Sequence, residues 1–215
     1  MTSPCRTAVL TSDGPMGHPV AWTVHGYTRP GSEPLWRASF SSGTPAEITA
    51  AFTTALADGL RTRHRAHPHD GTAASLLFDR GWRPSDRAPR GFHDQVAPDG
   101  TAVYRHLLGH QPHNTEVAGL VPPTWTMLAG HPQRPSWRAE FTISVPFHPL
   151  AQAALAFSSA APVHRRPDEV PARHLALVTL LRQPASSRPT GSPRPAETGR
   201  PHHSLLRPAP AVRSR

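Results

Sequence analysis

The sequence predicts an α+β fold in which two related copies of a small antiparallel sheet, three to four strands each, are each followed by a covering helix. Three observations carry this. The phrase PLWRASFSSGTPAEITAAF at 34–52 returns in worn form as PSWRAEFTISVPFHPLAQAAL at 135–155, with Trp36 and Trp137 101 positions apart. A Trp-Thr pair precedes each phrase, Trp22-Thr23 and Trp125-Thr126. An Asp-Gly turn stands earlier in each half, Asp13-Gly14 and Asp99-Gly100. The expected repeat core is therefore Trp22, Trp36, Phe40 and Phe52 in the first copy and Trp125, Trp137 and Phe141 in the second.

Element by element, CRTAVLTSDG reads as a short strand closing on a turn. VAWTVHGY (20–27) alternates Val20, Trp22 and Val24 against Ala21, Thr23 and His25, the period of a half-buried strand. After the turn RPGSEP, LWRASF places Trp36, Ala38 and Phe40 on one face and Leu35, Arg37 and Ser39 on the other. Thr44-Pro45-Ala46-Glu47 has the form of a capping box with proline at the first helical position. Ile48, Phe52, Ala55 and Leu56 then recur at helical spacing, which predicts a helix from Pro45 to about Leu60 with one apolar stripe.

In the second half, TAASLLFDRGW (72–82) reads as a short helix ending at Gly81, with Trp82 just beyond it. FHDQVAPDGTAVYRH reads as two strands around a Pro98-Asp99-Gly100 turn, and TWTMLAG and SWRAEFTIS follow as further strands. HPLAQAALAF is expected to be a helix opening at Pro149, later than its counterpart, because Val145-Pro146-Phe147-His148 has lost the capping box. The first copy lacks the segment that leads the second, as if its start were truncated. The expected units are residues 1–60, a polar linker 61–71, residues 72–182, and a disordered Pro/Arg-rich tail 183–215.

Leu, Ile, Val and Phe number only 39 of 215 residues, so any core is thin and leans on alanine and tryptophan. The formal charge is +9, and every basic residue is arginine; with 27 prolines this suggests GC-rich coding more than selection for a cationic surface. The single Cys5 excludes an internal disulfide and a cysteine-based zinc site. No export signal and no membrane span is expected, which makes a cytoplasmic protein the default.

WRASFSSGTPAEITAAFTTALADGL, together with RGW and APDGTAVY, resembles the actinobacterial SPDY domain family, a domain of unknown function, over roughly residues 8–181. The family's Ser-Pro-Asp turn would correspond to Ala97-Pro98-Asp99 with Tyr104 following, and to Thr11-Ser12-Asp13 in the first copy; both depart from the family pattern. The resemblance implies tandem copies, an actinobacterial cytoplasmic origin and no assigned activity.

The candidates for chemistry are few. His64, His67, His69 and Asp70 offer metal-ligand types, but Pro68 and nearby arginines make a cationic linker that holds a divalent ion poorly. His106, His110 and His113 are spaced for one helix face, yet Gly109 and Pro112 oppose a helix there. No nucleophile elbow, zinc-protease motif or phosphate loop occurs, so no catalytic residue, metal or cofactor is expected. Arg37 and Arg138 fall on the solvent side of equivalent strands and are the expected contact residues, with Thr44 and Glu47 as a structural cap. The favoured expectation is a non-catalytic module that binds protein. The alternative is a nucleic-acid-binding accessory protein using these arginines and the basic tail. An enzyme or a decayed family member are weaker readings.

Overall fold

The computed structural model describes residues 2–3, 7–11, 20–62 and 71–161. Met1–Val178 form one compact unit, and Thr179–Arg215 a second that lies wholly outside the described residues. Cys5, Asp13-Gly14, the 64–70 His/Asp cluster and the 183–215 tail also lie outside them.

Among the described residues eight strands and four helices follow in the order β1 (Ala8–Thr11), β2 (Val20–Tyr27), β3 (Pro34–Ser41), α1 (Ala46–Arg61), α2 (Ala73–Asp79), β4 (Arg83–Pro84), β5 (Phe92–Val96), β6 (Ala102–Leu107), α3 (His113–Val117), β7 (Trp125–His131), β8 (Arg134–Phe141) and α4 (Phe147–Phe157). All strands belong to one antiparallel sheet in the order β1-β2-β3-β8-β7-β6-β5-β4. The expected three- to four-stranded sheet of each half is thereby corrected to a single eight-stranded sheet. β3 and β8, each the last strand before a long helix, pair with one another and leave no free edge between them.

That seam has a self-complementary register. Ala38 faces Phe141, Ser39 faces Glu140 and Phe40 faces Ala139. Its two ends close with matching bonds: the amide of Arg37 donates to Thr142 Oγ1 and the amide of Arg138 donates to Ser41 Oγ, both at 2.9 Å. A hydroxyl thus replaces a carbonyl where each ladder runs out, so the terminal amides are not left unpaired.

The strand period sends Trp36, Ala38, Phe40, Trp137, Ala139 and Phe141 to one face, where they are buried under α1 and α4. Phe52 of α1 sets its ring against Trp36, Phe40 and Phe141 at centroid distances of 6.3, 5.5 and 5.5 Å. Phe157 of α4 does the same for Trp82 and Trp137 at 4.9 and 5.3 Å. Edge and tilted contacts of this kind add to what area burial alone supplies. Gly26 pairs with Trp36, and a Cβ at Gly26 would overlap the indole, so the ring lies across β2 only because no side chain is there. The short helix α2 covers the same face through Ala73 and Leu77, and Gln95 Nε2 donates to the carbonyl of Ala74.

Several expectations change in detail. Trp22 is 42 % exposed and so is not a core residue, whereas Trp125 is half-buried and packs against the margin of the core. They point to the helix-covered face, but at the strand ends, where Trp125 instead stacks on His106 and meets the exposed Phe147 edge-on. The capping box does not form: the residue that precedes α1 is Pro45, which has no capping side chain, and the Thr44 hydroxyl donates across the seam to the carbonyl of Arg138 at 3.1 Å. α4 opens directly after Pro146, the counterpart of Pro45, rather than at Pro149. Proline within the first turn removes only an amide that has no intrahelical partner anyway. His106 lies on a strand and His113 opens a helix, so the three histidines share no helical face.

Candidate docking surface on the open face of the sheet

With α1, α2 and α4 on one face, the opposite face carries Arg37 and Ser39 from β3, Arg138 and Glu140 from β8, Thr126 and Leu128 from β7, Arg105 from β6, and Phe92 and Asp94 from β5. A pocket of about 560 Å³ opens there, lined by Arg37, Arg105, Arg138, Glu140 and Phe92 and rimmed by the prolines of the 119–123 and 132–135 loops. Both arginines singled out from the sequence thus face one site. Four residues of paired strand separate them, about 13 Å at the usual rise, a span that two long side chains reaching toward each other can cover.

Their surroundings differ. Arg105 makes a bidentate pair with Asp94, Nε to Oδ1 at 2.8 Å and Nη2 to Oδ2 at 2.7 Å. The Asp94 hydrogen bonds push the Arg105 pKa up, and its guanidinium lies 5.1 Å from the Phe92 ring. Arg138 is exposed and meets Glu140 at 3.4 Å. Arg37 is half-buried, and among the described residues no carboxylate pairs with its guanidinium and no acceptor takes a hydrogen bond from it. Three arginines against Asp94 and Glu140 leave a net +1, and that charge resides on Arg37.

The wall beside Arg37 is made by the 108–124 connection. α3 ends at Gly119 in a Schellman motif: the Gly119 amide donates to the carbonyl of Glu116 and the Leu120 amide to that of Thr115. Gly119 has φ +77°, and a Cβ there would overlap the Arg37 guanidinium, so glycine serves both the helix stop and the close approach. Glu116, fully buried, holds the loop in place. Its carboxylate accepts from the amide and hydroxyl of Thr124 at 2.6 and 2.7 Å and from the amide of Ile143 at 3.3 Å.

Other places in the molecule offer less. A pocket of about 500 Å³ between β1 and α1 is lined by Ala8, Leu10, Val24, Leu56 and Leu60 and is almost wholly apolar, without the convergent polar groups that orient a ligand. Asp99 accepts from the amide and hydroxyl of Thr101 and so builds the hairpin turn. Tyr104, the tyrosine of the resemblance, is fully buried, and burial pushes its phenol pKa up. Among the described residues no group of three His, Cys, Asp or Glu could hold a metal ion, and no helix is long and apolar enough to cross a membrane.

The Asp94–Arg105 pair was implicit in the sequence, since a hairpin closed at Pro98-Asp99-Gly100 sets the register that opposes them. Glu116 and Gly119 gave no such signal, because their roles depend on where an irregular connection crosses the sheet.

Residues 2–62 match the family model SPDY, Domain of unknown function (DUF317). The match takes in β1, β2, β3 and α1. No curated protein and no solved structure matches the chain.

Proposed function

We propose that the protein is a non-catalytic, SPDY-type interaction module in which two related units share one sheet, and that its docking surface is the open face around Arg37 and Arg138. The carrying observation is that these two arginines, 101 positions apart in repeated phrases, line one pocket on the face that no long helix covers among the described residues. The seam register supports the two-unit reading, because Ser39 pairs with the residue 101 positions further on and the Ser41 and Thr142 bonds are exchanged by the same relation. Such exchange is what a twofold axis through the seam requires.

The chemistry of the pocket favours binding. Guanidinium groups stay charged throughout the physiological range and donate without accepting, so they position anions and transfer protons poorly. Glu140 is already held by Arg138 and has no second carboxylate or histidine beside it in the pocket. The occupant that fits a net positive, proline-rimmed, open-sided groove is an acidic segment of a partner protein. A cytoplasmic setting belongs to the same reading. The aromatic residues Trp36 and Phe40 lie under α1, which removes them as a base-stacking platform.

The test is capture from an actinobacterial lysate after nuclease treatment, comparing the native chain with Arg138→Glu and with Phe147→Glu on the helix side. A protein retained by the native chain and by Phe147→Glu but lost with Arg138→Glu is expected. Capture lost with Phe147→Glu instead, or recovery of nuclease-sensitive material alone, would refute the open-face reading.

A further inference from the structure

We infer that Arg37 is the anchor of this surface and that it recognises a carboxylate of the partner by a bidentate contact. This inference rests on the docking surface proposed above and adds the chemistry of its ligand. Arg37 shares with Arg138 a backbone held at the seam, and it differs from the other two arginines of the pocket in its guanidinium contact and in its donors.

Both polar groups of its backbone are held by Thr142. The amide donates to Thr142 Oγ1 at 2.9 Å and the carbonyl accepts from the Thr142 amide at 3.0 Å. Its guanidinium is pressed against the backbone of Gly119, whose own position is set by the α3 stop and the three bonds of Glu116. And its donors are unspent: Arg105 is saturated by Asp94 and Arg138 leans on Glu140, whereas among the described residues nothing accepts from Arg37. The Arg37 donors face the open pocket, where an incoming acceptor displaces water rather than an internal partner. An anionic, planar partner matches the guanidinium fork, and a carboxylate is both.

Restraint of the guanidinium by Gly119 means that little side-chain freedom is lost when the anion arrives, so binding energy is not spent on ordering. Arg138, more exposed and about 13 Å away, would meet a second acidic residue four positions further along an extended segment, since four residues of strand rise about 13 Å. Glu140 between them disfavours an anion bound at the centre and so separates the two contacts. Specificity follows: two acids spaced apart, rather than one dense cluster.

The experiment uses the full chain with ¹⁵N-arginine and reads the side-chain Nε–H resonances during titration with a blocked peptide, acetyl-Glu-Ala-Ala-Ala-Glu-amide, at constant ionic strength. A saturable shift at Arg37, absent at the exposed Arg134, is expected. Arg37→Gln and Arg37→Lys should each weaken the peptide at least tenfold, since lysine keeps the charge but not the fork. Arg138→Gln should weaken it about threefold. Thermal melts of the variants check that the fold is kept. A shift at Arg37 no larger than at Arg134, or an Arg37→Lys variant that binds as the native chain does, would overturn the proposal. Tighter saturation by a thymidine trinucleotide without terminal phosphates, whose two phosphodiesters match the peptide's two charges, would transfer the anchor to a phosphate and overturn the carboxylate assignment. A lysate partner lost in Arg138→Glu but retained in Arg37→Gln would refute the anchor while leaving the docking surface intact.

Discussion

Glu116 shows how much can hang on one side chain. Replacing it with alanine leaves the Thr124 amide and hydroxyl and the Ile143 amide without their acceptor in a buried site. A loss of about 3 kcal/mol is expected, visible as a lower urea midpoint, together with a weakened Arg37 contact because the loop that braces the guanidinium is released. Gly26→Ala is expected to cost a similar amount, about 3 kcal/mol, because the new methyl group overlaps Trp36 and the indole cannot move without disturbing Phe52. His106 carries a pH dependence. Burial, with a smaller contribution from the facing His93, lowers its pKa from the ordinary 6.5. Above that value the imidazole is neutral in both folded and unfolded chains. As pH falls below it, the unfolded chain takes up the proton first, so stability declines until pH passes the lowered folded value. The urea midpoint should therefore fall more between pH 7.5 and 5 in the native chain than in His106→Gln.

At the scale of elements, the β3–β8 seam depends on hydroxyls as well as on the ladder. Ser41→Ala and Thr142→Val each strip the acceptor from an amide at one end of the seam, and each is expected to cost about 1 kcal/mol by denaturant titration. If the seam acts as one unit, the double variant loses less than the sum of the two; strict additivity would mean that the ends act independently. Most elements were legible in the sequence, because strand alternation and the α1 stripe are local signals backed by turns at both ends. The 20–27 strand, the Schellman stop at Gly81 and the Pro98-Asp99-Gly100 hairpin follow from residues that are close in the chain. The errors arose where a distant partner competed for a local group. Thr44 has the sequence of a cap, but a carbonyl 94 positions away takes its hydroxyl. Trp22 alternates as a core residue should, yet no helix extends over its end of β2, and alternation alone says which face a side chain is on, not what covers that face. The pocket was half-legible: Arg37 and Arg138 were visible as repeated positions, whereas Gly119 and Glu116 reached the site through a connection with no periodic pattern.

For the whole molecule, one eight-stranded sheet gives α1 and α4 a continuous layer to cover, and a thin complement of large aliphatic residues is enough because alanines let helices sit close to the strands. Ala38, Ala139, Ala153 and Ala154 are fully buried at this layer. A protease site inserted within residues 63–70 and cleaved should leave both fragments co-eluting on size exclusion, since the seam and the α1–α4 packing do not depend on that connection. Separation of the fragments would show that covalent linkage, and not the seam, holds the sheet together. The pairing of Ser39 with Glu140 has a further consequence for assembly. A seam that is nearly twofold invites each half to pair with its own twin in another molecule. For the second half, that homotypic pairing would set Glu140 directly against Glu140, and like charges in facing positions repel. Only the mixed pairing places a neutral serine opposite the glutamate, so a single carboxylate at the centre of the seam steers each chain to close on itself instead of linking into chains of exchanged halves.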